Sequence, residues 1–212
     1  MKIVEFVDML YPHILVHCDT YGYKTPRIMM AQAIIESWVG NGISTLGRKY
    51  HNYWGMTCGK GWTGKKAYLK TKEEYTPGVL TDTMQYFRAW DSVEEGVSGY
   101  FQFIGYKRYS AAKNATTDLE FITALKNGGW ATSTKYIDAC MNRLKYVPVD
   151  WKPNVSVPNA PIVSVDSSLD GIAHEVIKGV WGNGLQRKNR LRLAGYDPDK
   201  VQARVNEILR SL

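Results

Sequence analysis

The chain has 212 residues, 44% hydrophobic and 22% charged, with a net charge of +7. That composition can build a buried core and excludes a wholly disordered chain. No apolar run approaches the roughly 20 residues of a membrane span, and three scattered cysteines, Cys18, Cys58 and Cys140, outline neither a disulfide framework nor a Cys-x-x-Cys metal site.

The N-terminal stretch Met1 to Leu10 carries Glu5 and Asp8 inside its apolar residues, unlike a secretory leader. The expectation is a chain made in the cytoplasm and released by some other route. This apolar, helical stretch runs through His17. A second helix has Thr25 as N-cap and Pro26 in its first turn, reads RIMMAQAIIES and stops near Trp38. Four glycines between Gly55 and Gly64 mark a loop. Ala67 to Trp90, rich in Tyr, Thr and Val around Thr76-Pro77-Gly78, reads as an antiparallel hairpin. Ser92-x-x-Glu95 and Thr117-x-x-Glu120 are capping-box patterns. Gly128-Gly129 closes a helix, and a last one covers about Thr132 to Leu144.

Residues 148–168 hold four of the eight prolines and read as an extended linker between domains 1–147 and 169–212. The tail reads as three short helices. The first starts at Ser168, the second covers Gln186 to Ala194, and the third starts at Asp197-Pro198 with Val201, Val205, Ile208 and Leu209 on one face. The fold class is therefore α+β and mostly helical: a catalytic domain with one small β-hairpin, then a C-terminal three-helix bundle.

Glu36 stands out chemically. It ends an apolar helix beside Ile34, Ile35 and Trp38. Desolvation there would keep its carboxyl protonated, and a protonated carboxyl can act as general acid on a glycosidic oxygen. Glu73 and Glu74, near the hairpin turn, supply the second carboxylate that glycoside hydrolysis usually needs. His51-Asn52-Tyr53-Trp54-Gly55 combines amide and aromatic groups of the kind that hold an N-acetyl sugar or fill a buried turn with core aromatics. His13 and His17 lack the glutamate of an H-E-x-x-H metal motif. This chemistry requires no metal and no cofactor.

AQAIIES, HNYWGM, TKEEY, FRAWDS and GWATSTKY follow one another in an order that resembles the glycoside hydrolase family 73 glucosaminidase domain of autolysins, flagellar hydrolases and phage endolysins. The resemblance implies a lysozyme-like fold and cleavage of the β-1,4 bond after N-acetylglucosamine in peptidoglycan. It implies Glu36 as general acid, Glu74 (with Glu73 as fallback) as second carboxylate and Tyr136 in the cleft. Asn52, Tyr53, Trp54 and Tyr75 would bind substrate.

The tail, IAHEVIKGVWGNGLQRKNRLRLAGYDPDKVQARVNEIL, resembles the Cpl-7-type wall-binding repeat, CW_7. That implies binding to the muropeptide of peptidoglycan. Trp181 and Tyr196 would stack on the ligand or fill the core of the bundle, Gly182 and Gly184 would allow close approach, Asn183 would bind the wall, and Arg187 and Arg190 would pair with peptide carboxylates. The combined expectation is a monomeric phage or prophage endolysin acting on Gram-positive walls, with peptidoglycan glycan and muropeptide as partners. Neither nucleic acid nor a membrane is expected as a partner. An N-acetylmuramidase on the same scaffold and a non-catalytic wall-binding protein are the alternatives.

Overall fold

The computed structural model describes residues 1–76, 79–151 and 168–211, without the side chains of 72–76, 79, 80, 185, 186, 189 and 193. Pro77-Gly78 and residues 152–167 of the expected linker lie outside the described residues. The chain divides into two units, Met1–Trp151 and Lys152–Leu212. No helix among the described residues is long and apolar enough to cross a membrane.

The first unit begins with α1, Ile3–Tyr21, which runs past His17 and stops where Gly22 takes a left-handed φ of 75°. Helix α2, Pro26–Ser37, is buried nearly all round. Ile28, Met29, Met30, Ala31, Ala33 and Ile34 are closed off from solvent. A helix with apolar residues on every side belongs inside a domain rather than on its surface. Thr25 occupies the N-cap position of α2, but its hydroxyl makes no hydrogen bond among the described residues. Its φ of −123° and ψ of 55° leave the geometry in which a side-chain cap forms.

Three elements escaped the sequence reading. Strands β1, Trp38–Val39, and β2, Gly42–Ile43, form a minimal hairpin straight after α2. Helix α3, Thr45–Tyr50, follows, with the Ser44 hydroxyl accepting the Gly47 N–H at 3.2 Å. All three are too short for hydrophobic periodicity to register.

The expected hairpin consists of β3, Lys66–Thr76, and β4, Val79–Arg88, paired antiparallel. Pairing is regular from Lys66–Arg88 to Glu73–Thr81 and shifts between Glu73 and Thr76. The base of the hairpin is fastened to the body: the Arg88 N–H donates to the Met56 carbonyl at 2.9 Å, and the Cys58 N–H to the Tyr86 carbonyl at 2.9 Å.

Helix α4, Val93–Ile104, starts at Ser92, whose hydroxyl accepts the Glu95 N–H. Only half of the expected box forms there, because Glu95 turns to the Asp91 N–H instead. Helices α5, Ser110–Lys113, and α6, Asp118–Asn127, follow, the latter with a complete Thr117–Glu120 capping box. Helix α7, Tyr136–Met141, is shorter than expected and gives way to a 3-10 turn at Leu144–Tyr146. Helices α1, α6 and α7 pack on α2, so the core surrounds the helix that ends in Glu36. Trp151 closes this unit, donating its ring N–H to Asp8 at 3.1 Å and meeting Tyr11 edge-on.

In the second unit, α8, Leu169–Ile177, α9, Gly184–Leu193, and α10, Pro198–Arg210, enclose Ile172, Ala173, Val176, Trp181, Leu191, Val201 and Val205. Ile208 packs against that core, whereas Leu209 is exposed and leaves the apolar face assigned to it.

Candidate active site

Glu36 lies in the last turn of α2, partly buried, where the helix meets the loop after α3. Its Oε1 accepts two hydrogen bonds. One comes from the Tyr136 hydroxyl at 2.6 Å and one from the Trp130 ring N–H at 3.0 Å. Its Oε2 faces Gly55, where a Cβ built on that glycine would stand 3.7 Å away. Gly55 holds φ at 66°, so glycine suits both the backbone and the open approach to the acid. Burial pushes the Glu36 carboxyl above the usual range, and the bonds from Tyr136 and Trp130 partly offset that rise. Tyr136 is itself buried, and its hydroxyl is held strongly in the neutral form by burial and by the Glu36 charge.

Behind Tyr136 runs a closed polar chain. The Gln32 amide N–H donates to the Tyr136 hydroxyl at 3.1 Å, and the Tyr100 hydroxyl donates to Gln32 Oε1 at 2.6 Å. Gln32 and Tyr100 are fully buried. The sequence reading passed over Gln32, Tyr100 and Trp130. One signal was present: Gln32 is a polar residue in an apolar run, four positions before Glu36 and therefore on the same face of α2.

The His51–Gly55 segment differs from its expected role as a sugar platform. Asn52, Tyr53 and Trp54 are each at most 1% exposed. Asn52 donates to the carbonyls of Met56 and Arg88, both at 2.9 Å, and accepts the Met56 N–H at 2.9 Å. It thereby ties the Gly55 loop to the base of the hairpin. Trp54 stacks on Tyr100 with ring centroids 3.9 Å apart and donates to the Met29 carbonyl. The Tyr53 hydroxyl meets the His51 ring at 3.0 Å. These side chains form the inner wall that holds Gly55 against Glu36. The physical reason is burial: rings closed off on both faces have no surface left for a sugar.

Glu73, Glu74 and Tyr75 belong to β3. Their side chains lie outside the described residues. Among the described residues no group of three His, Cys, Asp or Glu gathers to hold a metal.

The tail also departs from expectation at one position. Trp181 is fully buried and donates its ring N–H to Glu175 at 3.0 Å. It forms the bundle core, because three short helices have few other large apolar groups to bury. Tyr196 meets it edge-on and stays partly accessible. Gly182 and Gly184 take positive φ, Asn183 stands at the N-cap of α9, and Arg187 and Arg190 on α9 are partly exposed.

A family model described as mannosyl-glycoprotein endo-beta-N-acetylglucosaminidase, short name Glucosaminidase, matches residues 12–147, and a CW_7 repeat model matches residues 170–209. Among curated proteins, a lysozyme of Streptococcus phage Cp-7 is 58% identical over 41 residues, covering 19% of this chain and 12% of that protein. The peptidoglycan hydrolase FlgJ of Salmonella typhimurium is 30% identical over 113 residues, covering 52% of this chain and 35% of that protein. The chain thus spans well under half the length of either relative. Among solved structures, a mutant peptidoglycan hydrolase from Sphingomonas sp. A1 superposes with a TM-score of 0.58 at 28% identity, covering 66% of this chain and 92% of that one. The glutamate at the end of a buried helix thus stands inside a matched catalytic region, and the chain belongs to the glucosaminidase family of glycoside hydrolases and carries one CW_7 repeat.

Proposed function

We propose that this chain is a peptidoglycan hydrolase of the phage endolysin kind. In this reading it cleaves the β-1,4 bond between N-acetylglucosamine and N-acetylmuramic acid in Gram-positive walls. The observation that carries the reading is Glu36 itself: a desolvated carboxyl with two donors on one oxygen and its other oxygen toward Gly55. Glu36 acts as general acid, delivering its proton from Oε2 to the glycosidic oxygen of the leaving sugar. Trp130 and Tyr136 then stabilise the carboxylate that remains, so the charge formed at bond cleavage is already solvated. The second carboxylate comes from the hairpin, with Glu74 first and Glu73 as fallback, and Tyr75 beside them contacts the glycan. That carboxylate either activates water or orients the 2-acetamido group of the substrate.

The tail holds the enzyme on the wall. Arg187 and Arg190 pair with muropeptide carboxylates, Tyr196 offers a ring edge, and the Gly182-Asn183-Gly184 turn lets the ligand approach backbone. The chain works as a monomer at the cell wall after release from the cell that made it. The direct test is Glu36→Gln, which preserves shape and removes the proton. Wall lysis should fall by about 10³-fold or more while wall binding persists. Undiminished lysis would remove Glu36 from the mechanism.

A further inference from the structure

We propose that Gln32 is a positioning residue for the acid: it sets the direction of the Tyr136 hydroxyl and so keeps the transferable proton on Oε2 of Glu36. The proposal rests on the reading of Glu36 as general acid. It follows from counting donors and lone pairs along one buried chain. The indole N–H of Trp130 can only donate, so Oε1 of Glu36 accepts from it at 3.0 Å. The Tyr136 hydroxyl reaches the same oxygen at 2.6 Å. A hydroxyl has one proton and can point it either way. Beside the Cys140 thiol, which also faces that hydroxyl, the Gln32 amide N–H fills a lone pair of the Tyr136 oxygen at 3.1 Å and sends the tyrosine proton to Glu36.

Gln32 is locked in turn. Its Oε1 accepts from the Tyr100 hydroxyl at 2.6 Å while its amide nitrogen faces Tyr136. Tyr100 is held by Trp54, stacked on its ring at 3.9 Å. Every donor in this chain points toward Glu36. With both lone pairs of Oε1 occupied, the acid proton belongs on Oε2, the oxygen beside Gly55. A tyrosine without Gln32 could turn and accept a proton from Oε1, which would place the acid proton on the wrong oxygen. A fully buried glutamine on a largely apolar helix is costly unless such a chain satisfies it, and here both ends of its amide are used.

The experiment is a double-mutant cycle on soluble glycan fragments, read as kcat, KM and the pH profile. Gln32→Met keeps the volume and removes the amide. It should lower kcat about tenfold or more with little change in KM and move the alkaline limb of kcat to higher pH, as loss of the Tyr136 donor does. Added to Tyr136→Phe, it should lower kcat no further. Tyr100→Phe removes one hydroxyl at nearly constant shape and should move the limb the same way by less. It carries the test if Gln32→Met does not fold. An unmoved limb in the folded variants, or a Gln32→Met penalty undiminished by Tyr136→Phe, would overturn the proposal by reducing Gln32 to packing. Glu36→Gln in parallel separates the two readings. If it is inactive while the limb stays fixed, the role of Gln32 falls alone. If it is fully active, the acid assignment falls with it.

Discussion

The Tyr136 hydroxyl, at the start of α7, donates to Glu36 Oε1 at 2.6 Å across a separation of 100 residues in the chain. This bond and burial act on the acid in opposite senses: burial holds the proton on Glu36, and the donor eases its departure. Tyr136→Phe removes the easing part only. The Glu36 pKa should then rise further, so the alkaline limb of kcat moves to higher pH if Glu36 is the general acid proposed above, which works in its protonated form. The rate below that limb should fall about 10- to 100-fold, since the carboxylate formed in the reaction loses its nearest donor. Trp130→Phe should shift the limb in the same sense by a smaller amount. A pH–rate profile of each variant checks both.

Trp54→Phe tests whether the Asn52–Gly55 segment is wall or platform. The ring is buried and stacked on Tyr100, and its N–H is satisfied by the Met29 carbonyl. The variant should lose about 2 kcal/mol of stability from the lost indole hydrogen bond and the packing gap. KM on soluble fragments should stay near the parent value. A large rise in KM without loss of thermal stability would return Trp54 to the substrate.

His17 sets an acid limit on the first unit. It is buried against Tyr21 and Phe101, its Nδ1 meets the His13 carbonyl at 2.9 Å, and its Nε2 has no partner among the described residues. Burial lowers its pKa below the free value, although the nearby Glu94 pulls the other way. A histidine that is harder to protonate folded than unfolded leaves stability intact above about pH 6.5 and erodes it as the pH falls below that value. His17→Phe should therefore reduce the loss of stability between pH 7.5 and pH 5, measured by urea unfolding at each pH. Identical pH dependence in both proteins would remove His17 from the account.

The tail separates folding from binding. Trp181→Ala should cost about 3–5 kcal/mol, more than so small a bundle can spare. The corresponding unfolding transition of the full chain should disappear. Arg187→Ala with Arg190→Ala should leave that transition in place and weaken co-sedimentation with purified walls. Unchanged sedimentation of the double variant would place the binding surface elsewhere.

How much of this was legible in the sequence depends on whether burial or contact decided the outcome. The buried helix α2, the hairpin, the Thr117 cap and the three tail helices follow from local periodicity and turn residues, and all four are present. Glu36 was legible because its chemistry contradicts its apolar neighbours. Asn52, Trp54 and Trp181 were legible as special residues, with ligand contact and burial both left open. Aromatic and amide groups serve sugars and cores alike, and only tertiary packing distinguishes the two. Trp130 stands in the same GWATSTKY motif as Tyr136 but nothing local marked it as a donor, and Tyr100 reaches the site from a distant helix. Gln32 carried a local signal, a polar side chain on the same helical face as the acid.

The most direct test of the account is the identity of the new reducing end. Purified Gram-positive peptidoglycan is digested with the enzyme, the ends are reduced with borohydride, and the amino-sugar alcohol released by acid hydrolysis is identified. The account predicts glucosaminitol, from cleavage after N-acetylglucosamine. Muramitol would contradict it and make the chain a muramidase that uses the same acid. Neither alcohol, across several wall types, would leave a wall-binding protein without this catalysis.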